Sequence, residues 1–391
     1  MNVEKINMNN KNGYNRFQEH PAIYCGDELK LICHPRLGGK PRFSKRGGCH
    51  ELPKKVGVIH SEAKREYFPT EAQYITEKDA IKDAKTIAKY LQRLGIEAVL
   101  YPGDDKLPEK LRRQRPDVVI NLVGSVKGNE YLSSTIPGVL EILDIPYTGA
   151  GILGESLSYN KFLVKKLLQQ NGVPVPYYQL FNTSTDMLDP TLRFPLISKL
   201  NEIHGGVEIT KDSVSDNEKH LRERLKFLIK TYEQPAIVEE FIVGREVTAI
   251  LLEGLNKKIY FGEKVFFERE DKYVFTTFED QWGEKSFFTY QKYDDTILRE
   301  YVRKAFEITK MADYAKFDIR VDSSGRYYFI DSNSNPAFGP KEIDCALSNI
   351  LDMYGISFLD ILKRLLLNTG RDAAGKEKLP LPSDPSAQNF P

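Results

Sequence analysis

Residues 318–336 read Asp-Ile-Arg-Val-Asp-Ser-Ser-Gly-Arg-Tyr-Tyr-Phe-Ile-Asp-Ser-Asn-Ser-Asn-Pro, and no other stretch constrains the fold as strongly. An acidic residue on one expected strand, a Ser-Ser-Gly turn and a second strand ending in Asp331-Ser332-Asn333 make the pattern of a β-hairpin. Such a hairpin brings Asp318, Asp331 and Asn333 to one end of a sheet. All three offer hard oxygen ligands of the kind Mg²⁺ prefers, with water and substrate phosphates completing the octahedron. The spacing therefore predicts a metal–nucleotide site.

Alternation upstream supports an α/β chain. Short apolar strands are expected at residues 55–60, 96–101 and 116–122, with helices over 77–94 and about 131–143. Strand, helix, strand at this spacing predicts a right-handed parallel sheet with ligands at the strand carboxyl ends. A further helix is expected over 158–170, stopped by Asn171-Gly172. From Phe194 onward the texture becomes antiparallel and rich in Phe, Tyr, Val and Ile, interrupted by a charged amphipathic helix over 214–232. A final helical unit is expected over about 344–367.

A length of 391 residues implies two or three domains, and 41% hydrophobic with 28% charged residues is a globular composition. The net charge of +1 calls for neither nucleic acid nor an anionic membrane. No run approaches the ~20 apolar residues of a membrane helix, and no apolar signal core opens the chain, so the cytoplasm is the expected compartment. Residues 1–54 read as a polar extension and 369–391 as a linker-like tail. Cys25, Cys33, His34, Cys49 and His50 cluster near the start, but their spacings match none of the common zinc patterns.

Two further segments carry chemistry. A strand ending in Lys199 runs into Asn201-Glu202-Ile203-His204-Gly205-Gly206-Val207, where glycine backbone and a fixed lysine charge suit a phosphate-covering loop. Glu239-Glu240-Phe241-Ile242 then forms a hinge that offers adenine its backbone, and Glu246 is placed to meet ribose hydroxyls.

In this order the segments resemble the ATP-grasp superfamily, most closely the D-alanine–D-alanine ligases and related carboxylate–amine ligases. The resemblance spans about residues 115–365. It includes Gly138 to Gly149, Ser158-Tyr159-Asn160-Lys161 and Asn171 to Pro176. It implies an α/β ATP-grasp fold with a Rossmann-like parallel-sheet domain over 55–150. Central (151–250) and C-terminal (251–368) α+β subdomains would clasp ATP. It assigns Lys161 and Lys199 to the phosphates, Glu239 to the adenine amino group, Phe241 and Ile242 to the hinge, and Glu246 to the ribose. Asp318, Asp331 and Asn333 match the ligands of Mg²⁺, or of Mn²⁺ in its place. Lys292-Tyr293 resembles a Lys-Tyr pair that closes over the phosphates, and Lys316 stands where the ligases carry an arginine that supports the reacting centre.

The departures fall on the amino-acid side. Lys316 keeps a charge but loses the bidentate fork of arginine. His204 replaces a serine in the Gly-rich loop, which makes it a candidate for contacting substrate or phosphate. The family's glycine-rich N-terminal signature is absent, and Val58-Ile59-His60-Ser61-Glu62 leaves only Glu62 as an amine-binding acid. Val123-Gly124-Ser125 replaces a His-Gly dipeptide, Asn129-Glu130 matches only loosely, and residues 335–340 replace the usual end of the substrate pocket.

The resemblance implies that ATP phosphorylates a carboxylate and that an amine then displaces phosphate from the acyl phosphate, under a lid that excludes water. Residues 201–207 and 268–293 are the expected lid, with Trp282 inside it. The expected partners are a small carboxylate and an amine, with a homodimer as the assembly. A ligase with an altered pocket, a true D-alanine–D-alanine ligase and a non-catalytic ATP-binding protein all remain open at this point.

Overall fold

The first strand, β1 (Lys55–His60), is buried along nearly its whole length because it lies between two neighbours with layers on both faces. The computed structural model that shows this describes residues 51–267, 270–285 and 287–383. The Cys/His cluster of the first 50 residues therefore lies outside the described residues, as does most of the polar extension. After β1 come α1 (Glu71–Glu77), α2 (Ala80–Arg93), β2 (Glu97–Pro102), α3 (Leu107–Arg113), β3 (Val118–Leu122), α4 (Thr135–Ile142) and α5 (Ile152–Ser158). The strands form a parallel sheet in the order β2-β1-β3. Helix α2 buries Ala84, Ile87 and Leu91 at helical spacing and stops at Gly95, whose φ of +74° suits glycine.

One difference from the sequence expectation matters for the site. The helix expected over 77–94 begins later, at Ala80, and a separate helix, α1, precedes it, capped by Thr70, which accepts from Gln73 N. The break between α1 and α2 leaves Glu77 as the last residue of α1.

The second module starts with α6 (Lys161–Gln170). It begins three residues later than expected because Asn160 is its cap, accepting from Leu163 N. It continues through β4 (Tyr178–Phe181), β5 (Leu196–Leu200), β6 (Val214–Ser215), α7 (Glu218–Tyr232) and β7 (Ala236–Glu240). These strands make an antiparallel sheet in the order β4-β7-β5-β6, with Leu221, Leu225 and Leu228 of α7 packed on it.

The third module holds β8 (Gly244–Leu252), β9 (Lys258–Phe266), α8 (Phe278–Trp282), β10 (Phe288–Tyr293), α9 (Thr296–Ile308), β11 (Tyr314–Asp322) and β12 (Tyr327–Asn333). Two helices, α10 (Ala346–Met353) and α11 (Phe358–Ala373), close the chain. The sheet order is β10-β9-β8-β11-β12, all antiparallel. Strand β8 runs across position 250, so the hydrogen-bonded unit changes at 241–243 rather than at the expected boundary.

Period-two alternation gives this sheet two different faces. Val247, Ala249 and Leu251 of β8 and Ala315, Phe317, Ile319 and Val321 of β11 face a core shared with α6 and α9. The alternate residues face the cleft or join a second core. That second core takes in β1, β3, α2, α10 and α11, so the last two helices complete the hydrophobic cover of the N-terminal sheet.

The segment from Thr369 differs from a linker. Helix α11 runs on to Ala373, and the residues after it pack back on the molecule. Lys378 is buried between Glu253 (2.7 Å) and Asp313 (2.8 Å), and Leu379 exchanges backbone hydrogen bonds with the Asn368 side chain while its carbonyl also accepts from Leu255 N.

Candidate active site

Registers across the third-module sheet line its cleft-facing residues into rungs. One rung runs Tyr290–Lys264–Glu246–Arg320–Tyr328. The next runs Gly262–Thr248–Asp318–Asp331, and the third runs Ile250–Lys316–Asn333. The hairpin read from the sequence is thus present: Asp318 lies directly opposite Asp331, and Lys316 opposite Asn333. Alternation in Lys316-Phe317-Asp318-Ile319-Arg320 sends the three charged side chains into the cleft and the two apolar ones into the core.

The cleft has a volume of about 960 Å³ and lies among all three modules. Lys161, Lys199, His204, Glu239, Phe241, Ile242, Glu246, Lys316, Asp318, Asp331 and Asn333 all line it. Lys292 and Tyr293 do not, which corrects the sequence expectation. Lys292 shares the Asp318 rung but lies three strands away, roughly 14 Å at ordinary strand spacing, with its ammonium 5.1 Å from the Tyr354 ring centroid. Tyr293 turns to the opposite face, where its hydroxyl donates to Asp295. Lys264 of β9 and Tyr290 of β10, missed in the sequence, line the cleft instead.

Buried ion pairs hold the cleft wall. Glu246 accepts from Lys264 (2.7 Å), Arg320 (3.1 Å) and the Thr276 hydroxyl (2.6 Å). Burial alone would raise the Glu246 carboxyl, but these two cations hold it well below the usual carboxylate range. Glu239, fully buried, lies between Lys199 (3.0 Å) and Lys165 (3.2 Å). Lys165 was not singled out in the sequence, although it stands four residues after Lys161 on the same face of α6. Burial presses its ammonium down to about 8 against the pull of Glu239. At the hinge, the Phe241 N–H is spent on Pro195 O and the Ile242 carbonyl accepts from Arg320.

At the hairpin end, Lys316 lies 2.5 Å from Asp318 Oδ2, and the Thr248 hydroxyl donates to Asp318 Oδ1 at 2.8 Å. Asp331 would be raised by burial, yet Lys161 and Lys316 hold it well below the usual carboxylate range. Among the described residues no three His, Cys, Asp or Glu side chains converge on a metal position. A divalent cation here would use two carboxylates, the Asn333 amide and oxygens of a nucleotide, the mixed set that suits Mg²⁺.

The Gly-rich loop is tied down on every side. Lys161 Nζ donates to Ile203 O (2.6 Å), His204 N to Glu130 Oε2 (2.7 Å) and Trp282 Nε1 to Gly205 O (2.7 Å). Gly205 and Gly206 have φ of +70° and +67°, and a Cβ on them would meet Thr76 at 2.6 Å and Gln281 at 2.8 Å. The glycines thus let α1 and α8 close on the loop from two sides. His204 has both ring nitrogens engaged, Nε2 with Ser158 O (2.9 Å) and Nδ1 with Asn333 Oδ1 (2.8 Å).

The N-terminal module adds two acids to which the sequence assigned no role. Glu77 and Glu130 line the cleft, and burial pushes their carboxyls up to about 7 and about 8. Ser61 and Ser125 hydrogen-bond Glu77, while Ser61 Oγ accepts from Gly124 N and Ser125 N. Glu62, expected as the amine-binding acid, instead pairs with Lys64 away from the cleft lining. The only signal for Glu77 was its place at a helix end, which becomes visible once Thr70 is read as a cap.

Comparison with known proteins agrees with this architecture. Residues 167–367 match the family described as "D-ala D-ala ligase C-terminus". An uncharacterized protein, y4sG, of Sinorhizobium fredii is 30% identical over 274 residues, 65% of this chain and 78% of that protein. The D-alanine–D-alanine ligase of Aquifex aeolicus is 29% identical over 264 residues, 66% of this chain and 85% of the enzyme. In fold, the crystal structure of a D-alanine–D-alanine ligase from Bacillus anthracis complexed with ATP superposes with a TM-score of 0.63. It covers 82% of this chain and 99% of that one at 19% identity. The chain therefore belongs to the D-alanine–D-alanine ligase family and is an ATP-grasp ligase that forms carbon–nitrogen bonds.

Proposed function

We propose that this ligase joins a small carboxylate to an amine other than the D-alanine pair, through an acyl phosphate. The observation that carries the reading is an asymmetry within one cleft. Lys161, Lys199, Glu239 and Glu246, which the resemblance assigns to ATP, line it, and so do Glu77, Glu130 and His204, to which the resemblance assigns no role.

In this reading Lys161 and Lys199 neutralise the phosphates, with Lys165 and Glu239 fixing the charge balance behind them. Phe241 and Ile242 cover the adenine, and Glu246 faces the ribose. Asp318, Asp331 and Asn333 would hold Mg²⁺, which would screen the charge of the transferring phosphoryl. A substrate carboxylate oxygen attacks the γ-phosphorus and ADP leaves; the neutral amine then attacks the acyl carbon, and phosphate leaves with the carbon–oxygen bond pair and takes up the proton that the nitrogen loses. Lys316 supplies positive charge near the reacting centre, tempered by its pairing with Asp318. Glu77 takes over from Glu62 as the acid that faces a substrate ammonium. Among the described residues no helix is long and apolar enough to cross a membrane, and the proposed compartment is the ATP-containing cytoplasm.

The test is ADP release with Mg²⁺-ATP across single and paired L- and D-amino acids and simple amines, beside Asp331→Ala. Stimulation by a specific pair other than D-alanine, abolished in the variant, is the expected result. Stimulation by D-alanine alone overturns the altered-pocket reading, and silence across the panel with ATP still bound favours a non-catalytic nucleotide-binding role.

A further inference from the structure

Lys165 is a buried ammonium set behind the cleft wall rather than in it. It stands on α6, 3% exposed, and does not line the cleft, whereas Lys199 on β5 and Glu239 on β7 both do. Lys165 Nζ lies 3.2 Å from Glu239 Oε1, and Lys199 Nζ lies 3.0 Å from Glu239 Oε2. One fully buried carboxylate is thus shared by two ammoniums, one on the cleft side and one behind.

The backbone of β12 fixes which of the two can leave. Asp318 pairs with Asp331 and Ile319 with Phe329, so Ile330 is the extra residue of a β-bulge. A bulged residue drops out of the ladder and its strand bends there. At this bend the Phe329 and Ile330 carbonyls accept from Lys165 Nζ at 3.2 and 3.4 Å. Lys199 has one long contact to the same bulge, 3.5 Å to Ile330 O, besides its bond to Glu239. Lys165 is therefore anchored, and Lys199 is the ammonium free to turn.

The charges give that difference a purpose. A carboxylate with a single lysine is a neutral pair. A phosphate that drew Lys199 out of such a pair would leave a buried carboxylate without a counter-ion, which is strongly destabilising. With Lys165 in place the group carries a net positive charge, and Glu239 keeps a counter-ion when Lys199 turns to the cleft. A compact ammonium on a flexible stem suits that turn.

We propose that Lys165 is a positioning residue, a fixed counter-charge for Glu239 that releases Lys199 to the phosphates of a nucleotide. This rests on the nucleotide reading above and adds to it a residue that itself touches no phosphate.

The experiment measures adenosine and ADP binding to the full-length protein by calorimetry, with EDTA present so that no metal contributes. The ratio of the two affinities isolates what the phosphates add. Lys165→Met is expected to cut that ratio by about tenfold or more. Lys165→Gln keeps a donor for the bulge carbonyls without the charge, and its ratio is expected to fall with that of the methionine variant. A ratio within about twofold of wild type in either variant would reduce Lys165 to a support for the backbone and overturn the proposal. Lys165→Met combined with Glu239→Gln removes both charges and leaves Lys199 unpaired, so most of the ratio is expected to return. Losses that add instead overturn the proposal as well. Should the methionine variant fail to fold, Lys165→Gln with and without Glu239→Gln makes the same comparison. Equal affinity of the wild type for adenosine and ADP would overturn the nucleotide reading and the proposal with it.

Discussion

Glu130 illustrates how a single residue records the purpose of this cleft. Its carboxyl is buried, accepts from the His204 backbone and is pushed up to about 8, with the Glu77 charge adding to burial. An unfolded glutamate titrates near 4.5. Between those values the folded chain holds a proton that the unfolded chain has lost, so this group's contribution to stability is full below about 4.5 and disappears as pH rises through about 8. Glutamine keeps the acceptor for His204 N but does not titrate. In ligand-free melts, Glu130→Gln is expected to shrink the fall in Tm between acidic and alkaline buffer by about 2–4 °C. An unchanged fall would show that the carboxyl is not strained by burial. A substrate ammonium beside these acids would relieve the same penalty, which ties the residue to the proposed pocket.

At the scale of elements, the lid is the instructive case. The two segments expected to close over the cleft are already joined, with the Trp282 indole of α8 donating to Gly205 O at 2.7 Å and Phe278 N to Ile209 O at 2.7 Å. Trp282 is the chain's single tryptophan, so its fluorescence reports this joint alone. Adding Mg²⁺-ATP is expected to shift its emission, while a silent indole would mean that the joint does not change with nucleotide. Trp282→Phe keeps the ring and removes the donor. One hydrogen bond is worth about 1 kcal/mol, so nucleotide affinity measured by calorimetry should fall roughly fivefold, with more ATP hydrolysed without product. Equal affinity in the variant would assign closure to other contacts. The hairpin of β11 and β12 contrasts with the lid: two strands around a Ser-Ser-Gly turn made it legible in the sequence, apart from the bulge between Asp318 and Ile319.

For the whole molecule, the segment that follows α11 acts as a strap. Lys378 reaches Glu253 at the end of β8 and Asp313 before β11, and Asp313 accepts from Gly149 N at the close of the N-terminal module. One buried cation thus ties the tail to the junction of two modules. Lys378→Met removes the charge and leaves the two carboxylates without it, a change expected to cost about 3–5 kcal/mol in urea denaturation. A loss under about 1 kcal/mol would reduce the strap to an exposed surface pair.

By itself the sequence determined the strand–helix order, the hairpin that carries Asp318, Asp331 and Asn333, and most of the residues found lining the cleft. Each of these depends on local period, caps or residues two to four positions apart, as in Lys316-x-Asp318-x-Arg320. Only the tertiary structure decided what depends on distant neighbours. It set Lys292 three strands from Asp318, slotted Lys165 behind Glu239, brought Glu77 to Ser61 and Ser125, and docked Lys378 between two acids. The physical reason is that a side chain's direction follows from its local backbone, whereas its partner follows from sheet order and module packing, which no short window of residues encodes.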